Sequence, residues 1–490
     1  HFADAHVGTG KPVTAQLSLT GADAGNYVLA AGAADGLTGD ITRLNSVSWV
    51  GGSRGSWFDA SNWAGGAVPI RDNVANVVIP QGTLVTVADG VAADAPMLAS
   101  LTGAGGVSIA RQALSASGAL SLASLAVGSG GELAVGSLTA PQLTQTGGRI
   151  SVAGALTVDG RFVQTDGQLR VGGAASVTQA AGDLQVRHLV ANSLALTAHD
   201  GALSLGNVGS VADARLHAGG DITQAEGGSL TVLGALDATA GGDVRLAQAR
   251  NMVVGTVAVQ GHHVQLVQAI DDLVLGNVVA SGDLAVTAAT GHLRQAADTT
   301  LSVTGGTTAV ATQGSVYLMN EGNRLVGAVS ARGQDVGLTQ GAAPLVLGSV
   351  AASGNLAIKS GGNVSQTGAV TAGARTSLDA IGHDVLLDGR DNDFGGAVTA
   401  RTAALTLVDG SGGLQLGGVQ TSGATRVESF GGPITQTSSF ASTSGLLSVF
   451  NAWQDGAYTT VSLNTEAAVQ INGQVASTAS VSISAGIARA

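Results

Sequence analysis

Short runs in which apolar and polar residues alternate recur along the whole chain. Clear examples are Gly131–Val135 (GELAV), Gly148–Val152 (GRISV) and Gly167–Val171 (GQLRV), which follow one another at nearly constant spacing. Alternation with a period of two is typical of strands that bury one face. Glycine interrupts every run that could otherwise follow the 3.6-residue period of a helix. The pattern therefore predicts an all-β protein built from short strands.

A longer period of about 70 residues is superimposed on these strands. The string L-x-L-G-x-V recurs at a nearly constant interval, starting at Leu203, Leu273, Leu345 and Leu414. A second string, N-x-x-x-G-x-V, starts at Asn251, Asn323 and Asn392. A third begins with glycine and ends in glutamine, and it keeps the same interval at Gln224, Gln295, Gln366 and Gln436. Three independent strings with one period indicate a tandem array.

Each long repeat is itself divided into turns of about 17–25 residues, a length that suits a parallel β-helix. The step from Val257 to Val278 equals the step from Val329 to Val350, and both are of this length. In such a β-solenoid the strands of one coil stack about 4.8 Å above those of the coil below. We expect roughly 18 coils, or a rod of roughly 85 Å. A propeller, with longer and more aromatic repeats, fits less well.

The composition is consistent with a narrow interior filled by small side chains, and it excludes some classes of binding partner. The 490 residues include 75 glycines and only 3% aromatic residues, whereas 44% are hydrophobic. The net charge is −12, and lysine occurs only at Lys11 and Lys359. Nucleic acids and anionic lipids are bound by clustered positive charge, so we expect neither as a partner. Cysteine is absent, and the first residues lack the pattern of a signal peptide, so an exported chain would have its true start upstream.

Residues 1–42 resemble the second half of a YDG domain, a small β-sandwich-like unit of large bacterial adhesins. The resemblance rests on Phe2–Lys11 (FADAHVGTGK) and Leu17–Tyr27 (LSLTGADAGNY). The opening strands of that family have no counterpart here. A trimmed domain is the interpretation we favour; the alternative is that a neighbouring molecule supplies the missing strands.

Residues 48–96 form a tryptophan-rich segment that we interpret as a cap and first coil. Trp49, Trp57 and Trp63 precede Pro69 and the strand-like run Val74–Ile79. The arrangement resembles a segment that precedes the solenoid in autotransporter and haemagglutinin-type adhesins. Exposed tryptophans would stack on sugar rings, whereas buried ones would close the open end of the first coil. We favour the cap over the glycan contact.

Residues 97–490 resemble the right-handed β-helical shaft of filamentous-haemagglutinin-like exoproteins, in repeat style rather than in a diagnostic motif. The fold that this implies is all-β: a right-handed parallel β-helix (β-solenoid) with a partial β-sandwich-like N-terminal domain. The resemblance also implies an extracellular or bacterial cell-surface location, an outer-membrane secretion partner, and a non-catalytic shaft of an adhesin that contacts a host or cell-surface glycan or protein.

Catalytic residues are not evident, and we expect neither an enzyme nor a cofactor. The glutamates are scattered, at Glu132, Glu226, Glu321, Glu428 and Glu466. Asp271 and Asp272 are adjacent, as are His262 and His263, so on a strand each pair would point to opposite faces. A polysaccharide-active β-helix enzyme is the remote alternative, since residues of adjacent coils could still meet.

The stretch Asp388–Gly396 (DGRDNDFGG) is the most site-like in the chain. Asp388, Asp391 and Asp393 could gather oxygens around calcium, although the spacing fails as an EF-hand. Asn392 aligns with Asn251 and Asn323, and this alignment favours an ordinary solvated turn over a metal site.

A second functional hypothesis is a self-assembling extracellular fibre subunit, a homo-polymer joined head-to-tail. It rests on a half domain at His1 and on an array that stops at Gly486–Ala490 without an evident cap. Truncation explains the same ends, and Trp453 with Tyr458 could form a partial plug.

Overall fold

The computed structural model describes residues 1–4, 6–30, 36–430, 432–437, 440–442, 447–451, 461–465, 469–471 and 481–485. The chain forms two compact units, His1–His199 and Asp200–Ala490. The boundary falls inside the segment predicted as shaft. Both units consist of strands, and apart from one two-stranded sheet their ladders are parallel, so the predicted all-β solenoid is confirmed.

The strands of the first unit, β1 to β18 in chain order, are Gly8–Pro12, Thr38–Ile41, Leu44–Ser48, Arg54–Ser56, Val74–Val78, Leu84–Val87, Met97–Leu98, Ser100–Thr102, Gly106–Ile109, Ala113–Ser121, Ser124–Val127, Glu132–Thr139, Gln142–Val152, Leu156–Val158, Arg161–Val171, Ala174–Gln179, Leu184–Ala191 and Ser193–Ala198. Short 3₁₀ helices occur at Ala24–Asn26, Ala60–Asn62, Ala64–Gly66 and Ala92–Asp94. Among the described residues, no helix has the length and apolar character needed to cross a membrane.

The strands of the second unit, β19 to β52, are Leu203–Ser210, Ala214–Ala218, Ile222–Val232, Leu236–Ala240, Val244–Leu246, Met252–Val253, Thr256–Gly261, Val264–Gln268, Leu273–Ala280, Leu284–Ala288, Leu293–Gln295, Leu301–Val303, Thr307–Ala311, Val316–Leu318, Arg324–Leu325, Val329–Gly333, Val336–Gln340, Leu345–Ala352, Leu356–Ser360, Val364–Gln366, Val370–Ala372, Thr376–Ala380, Val385–Leu387, Asp393–Phe394, Val398–Thr402, Leu405–Asp409, Leu414–Thr421, Thr425–Ser429, Ile434–Gln436, Phe440–Ser442, Leu447–Asn451, Val461–Thr465, Val469–Ile471 and Val481–Ala485.

The first unit begins with a small antiparallel sheet and continues as a solenoid. Strand β1 pairs with β2, and Phe2 forms an antiparallel bridge with Val13. From Leu44 onward the ladders are parallel, beginning with β3 against β5 and β4 against β6. Residues 132–135, 149–152 and 168–171 then stack in register on successive coils. The glycine-opened strings of the sequence are therefore stacked strands.

The second unit continues the same construction with longer, irregular coils. One column of paired residues runs through Ile222, Val244, Val264, Leu284 and Thr307. Leu293 is the counterpart of Ile222 in the next repeat, but it is not a member of this column. It lies nine residues after Leu284 and before the next member, Thr307. A repeat of about 71 residues thus spans roughly three and a third coils. Equivalent residues of successive repeats therefore lie about a third of a coil further round.

The interior of both units is filled by small and medium apolar side chains, because inward-facing positions alternate with outward-facing ones along each strand. Runs such as Leu236–Ala240 and Leu284–Ala288 show buried residues at every second position. Glycines occupy corners of the coils, where the backbones of successive coils approach closely. A Cβ on Gly314 would lie 2.3 Å from the carbonyl oxygen of Gly291, so no side chain fits there.

Candidate functional site

The three tryptophans of the N-terminal segment form one buried cluster. Trp49, Trp57 and Trp63 are 3%, 0% and 2% exposed. Trp63 contacts both other rings edge to face, with centroids 5.2 and 4.9 Å apart. The indole N–H groups donate to backbone carbonyls: Trp57 to Pro69 at 2.7 Å, and Trp49 to Gly52 at 3.0 Å. Buried rings with satisfied N–H groups leave no face on which a sugar could stack.

A hydrogen-bonded pair of amide side chains, a buried asparagine and a half-buried glutamine, recurs in the repeats. In the middle repeat, Gln295 Nε2 donates to Asn323 Oδ1 at 2.7 Å, and Asn323 Nδ2 donates to Gln295 Oε1 at 2.9 Å. Asn323 is 2% exposed and also accepts the backbone N–H of Leu301 at 3.0 Å. Its Nδ2 reaches the carbonyl oxygens of Leu318 and Thr339 as well. Both polar atoms of Asn323 are thus satisfied in a site closed to water.

The same reciprocal pair recurs one repeat before and one repeat after. Asn251 exchanges two hydrogen bonds with Gln224, at 2.7 and 2.8 Å. Asn392 exchanges two with Gln366, at 2.8 and 2.9 Å. The second and third recurring strings of the sequence are therefore the two halves of one hydrogen-bonded motif. In the first unit, Gln164 Nε2 donates to Gln145 Oε1 in a related buried contact.

The stretch proposed for calcium does not gather its carboxylates. Asp388, Asp391 and Asp393 are all exposed, and they form no group with metal-ligand spacing among the described residues. Asn392 between them is only 1% exposed. The prediction of a solvated turn at Asn392 is therefore wrong, because the turn directs this side chain inward to Gln366.

A second buried polar position differs between repeats. The side chain of Gln268 accepts the backbone N–H of Val253 and donates to the carbonyl oxygen of that same residue. Gln340 makes the same two hydrogen bonds with Leu325. Asp409 occupies the equivalent place in the third repeat and accepts the N–H of Phe394 at 2.9 Å. Its Oδ2 is buried and has no hydrogen-bond partner in the part of the chain that the structure describes. Burial, followed by the nearby charge of Asp393, raises the pKa of Asp409 to about 6.

Replacement of Asp409 by asparagine is expected to stabilise the protein at pH 7.5 by about 2 kcal/mol. The raised pKa means that the folded state holds the proton more tightly than the unfolded state. The contribution of Asp409 to stability is therefore greatest below about pH 4 and is lost as the pH rises through about 6. Urea denaturation at pH 4 and pH 7.5 should show the gain only at the higher pH. The exposed control Asp237→Asn should change little at either pH, and identical profiles for Asp409→Asn and the parent would contradict the assignment.

At the corners of the second unit, a side chain of one coil accepts a backbone N–H from the coil above. Asp221 accepts from Asp243 at 2.8 Å, and Asp243 accepts from His263 at 2.9 Å. His263 continues the series, since its Nδ1 accepts from the N–H of Asp283 at 3.0 Å. These bonds satisfy backbone donors at positions where the strand ladder is interrupted.

Two histidines and an aspartate meet at one of these corners. His262 and His263 lie in the bend between Thr256–Gly261 and Val264–Gln268, so the expectation that they point to opposite faces of a strand is wrong. Their rings meet edge to face with centroids 4.2 Å apart, and His262 Nδ1 lies 3.2 Å from Asp243 Oδ1. Among the described residues, these three form the one group with metal-ligand spacing.

Two further acidic candidates lie in ion pairs near the surface, and several other candidates lie outside the described residues. Asp272 accepts from the backbone of His292 and from Arg294 Nε, at a corner rather than on a strand. Glu321 pairs with Lys359 at the surface. Glu466, the plug candidates Trp453 and Tyr458, and the final residues 486–490 all lie outside the described residues.

Comparison with known proteins yields matches to two families. Three consecutive stretches, residues 191–260, 261–332 and 333–401, are similar to repeats of unknown function (DUF5649). Residues 1–34 match the YDG domain, which confirms that resemblance over this range. Neither a curated protein nor a solved structure was found to match the chain. The three matched repeats adjoin one another and keep the interval of the recurring strings, which confirms the period found in the sequence.

Proposed function

We propose that this chain is a structural shaft of a secreted bacterial cell-surface adhesin, which spaces and displays binding regions. The observation that carries the proposal is the coil-on-coil stacking of three similar repeats through parallel ladders. In such an array each coil is stabilised by its neighbours, so length is added by adding repeats. Export through an outer-membrane partner belongs to the same proposal and rests on the resemblance to filamentous-haemagglutinin-like exoproteins.

The surface composition supports spacing rather than tight recognition by this segment. Only 11% of the residues are charged and 3% are aromatic. Binding hot spots favour tryptophan, tyrosine and arginine in desolvated pockets. Three of the four tryptophans are buried in the cap instead. A binding region displayed by the shaft would therefore lie outside these coils.

Deletion of one whole repeat, residues 261–332, is expected to leave a folded protein that is shorter by about 16 Å, or roughly three and a third coils. The new junction joins equivalent positions, so the interior pattern continues without a break. Spin labels at the exposed residues Arg215 and Arg426 should report the shortening by pulsed electron paramagnetic resonance.

Deletion of half a repeat, residues 261–296, is the matched control. It joins positions that are not equivalent in the repeat, so the interior pattern is broken, and it should abolish cooperative unfolding of the second unit. Equal tolerance of both deletions would contradict a repeat-built shaft.

The cellular part of the proposal is tested separately, with antibodies raised against residues 261–332. These antibodies should label intact, unpermeabilised producing cells, and labelling only after permeabilisation would rule out a surface location.

A further inference from the structure

The corner formed by Asp243, His262 and His263 contains more than the fold requires. In the next repeat the equivalent corner bond is the N–H of Asp335 to Ser315 Oγ, at 3.1 Å. One repeat later, Ala404, in the place of His263, donates its N–H to Asp384 Oδ1 at 3.0 Å. Neither corner needs a histidine, and Asp335 takes the acceptor role of His263 by accepting the N–H of Asn355, so stacking alone does not require the two imidazoles.

We propose that Asp243, His262 and His263 bind a divalent transition-metal ion of the zinc type. One ligand atom from each residue lies within 4.8 Å of the other two. Imidazole nitrogen and carboxylate oxygen bind zinc at about 2.0–2.2 Å, which places neighbouring ligands about 3.3 Å apart in a tetrahedral site. The histidine side chains are 54% and 44% exposed, so rotation about their side-chain bonds closes the remaining gap.

The electrostatic surroundings favour a cation at this corner, although the side chain of Arg245 competes for the Asp243 carboxylate. The N–H of His263, then the side chain of His262 and the charge of Arg245, hold the pKa of Asp243 below its usual range, so the carboxylate is ionised at neutral pH. Asp283 adds a second carboxylate, with Oδ2 3.5 Å from His263 Nδ1. Arg245 already pairs with Asp243 Oδ2 and opposes the metal. The other carboxylate oxygen, Oδ1, accepts the N–H of His263 and faces the His262 ring.

Metal binding through His263 Nε2 changes the tautomer of that ring. Without metal, Nδ1 accepts the N–H of Asp283, so the ring proton is on Nε2. When Nε2 binds the ion, that proton leaves and Nδ1 takes up one, so the ring stays neutral. The new Nδ1–H then donates to Asp283 Oδ2, an arrangement that orients metal-binding histidines in many proteins. The backbone N–H of Asp283 transfers to water, because the corner is exposed.

Calorimetric titration of the full chain with zinc chloride at pH 7.5 tests the proposal. We expect one site of micromolar affinity that His262→Gln weakens at least about tenfold. The variant Arg245→Gln should bind several-fold more tightly, because a competing positive charge is removed. The control His217→Gln, at an exposed histidine on the strand Ala214–Ala218, should bind as the parent does.

Labelling with diethyl pyrocarbonate and peptide mass spectrometry then locates the site. Zinc should protect His262 and His263 but not His217. The proposal is overturned if the titration shows no binding, if His262→Gln binds as tightly as the parent, or if zinc protects other histidines instead. All three substituted residues are exposed, and circular dichroism should show unchanged strand content in each variant.

Discussion

Replacing Asn323 with alanine should lower the free energy of unfolding of the second unit by about 3–5 kcal/mol. The truncation leaves the buried N–H of Leu301 and the buried carbonyl oxygens of Leu318 and Thr339 without this side-chain partner. Each orphaned group costs about 1–3 kcal/mol, because water cannot replace the lost bond in a closed interior. Urea denaturation and native-state hydrogen exchange measure the effect, and exchange should quicken first in the coils that contact residue 323.

The control for this substitution is Asn355→Ala in the next repeat. Asn355 is exposed, and its side chain bonds only to Asp335 among the described contacts. Its loss should cost less than about 0.5 kcal/mol. Equal effects at the two positions would show that the buried amide pair does not hold the coils together.

Replacing Trp57 with alanine is expected to cost about 3–5 kcal/mol in the stability of the first unit. The ring is completely buried, donates to the carbonyl of Pro69, and packs against Trp63. Its removal leaves a cavity at the start of the solenoid and frees the indole edge of Trp63. Thermal denaturation followed by circular dichroism measures the loss.

Two further variants separate the possible causes at Trp57. Trp57→Phe keeps most of the ring volume but removes the N–H donor, so it should cost less than Trp57→Ala. Tyr27→Ala removes a ring that is 69% exposed and should have almost no effect. A cap that tolerates Trp57→Ala as well as Tyr27→Ala would contradict the role assigned to the tryptophans.

The repeat period and the stacked strands could be predicted because both produce local patterns of residue types in the sequence. Each glycine-opened string alternates buried and exposed residues, as Glu132–Thr139 does in its first four positions. The tryptophan cap could be proposed on similar grounds, since three large rings in a chain with few aromatics require a place to be buried.

Contacts between coils could not be predicted from the same patterns. Gln295 and Asn323 are 28 residues apart, so their meeting depends on the length of the intervening coil rather than on either string. An asparagine with a glycine four residues later resembles a surface turn. Only contact with the neighbouring coil buries its side chain. The nearly constant spacing between glutamine and asparagine in the three repeats is the signal that could have revealed the pair.

The histidine corner was missed for a related reason. Two adjacent histidines diverge if both lie on a strand. Comparison of the repeats gives the missing information, because His263 aligns with Asp335 in a corner of the next repeat. The bend therefore recurs between repeats, whereas the two adjacent histidines occur in only one of the three matched copies.

Disulfide formation between introduced cysteines tests the stacking of coils most directly, since the chain has no cysteine of its own. Thr308 pairs with Ser330 in the parallel ladder, while Arg332 is two residues further along the same strand. Thr308→Cys with Ser330→Cys should form a disulfide, because paired Cα atoms about 5 Å apart fall within the allowed range. Thr308→Cys with Arg332→Cys should not, since that separation is about 8 Å. Cross-linking of the second pair but not the first would contradict the stacked, in-register solenoid.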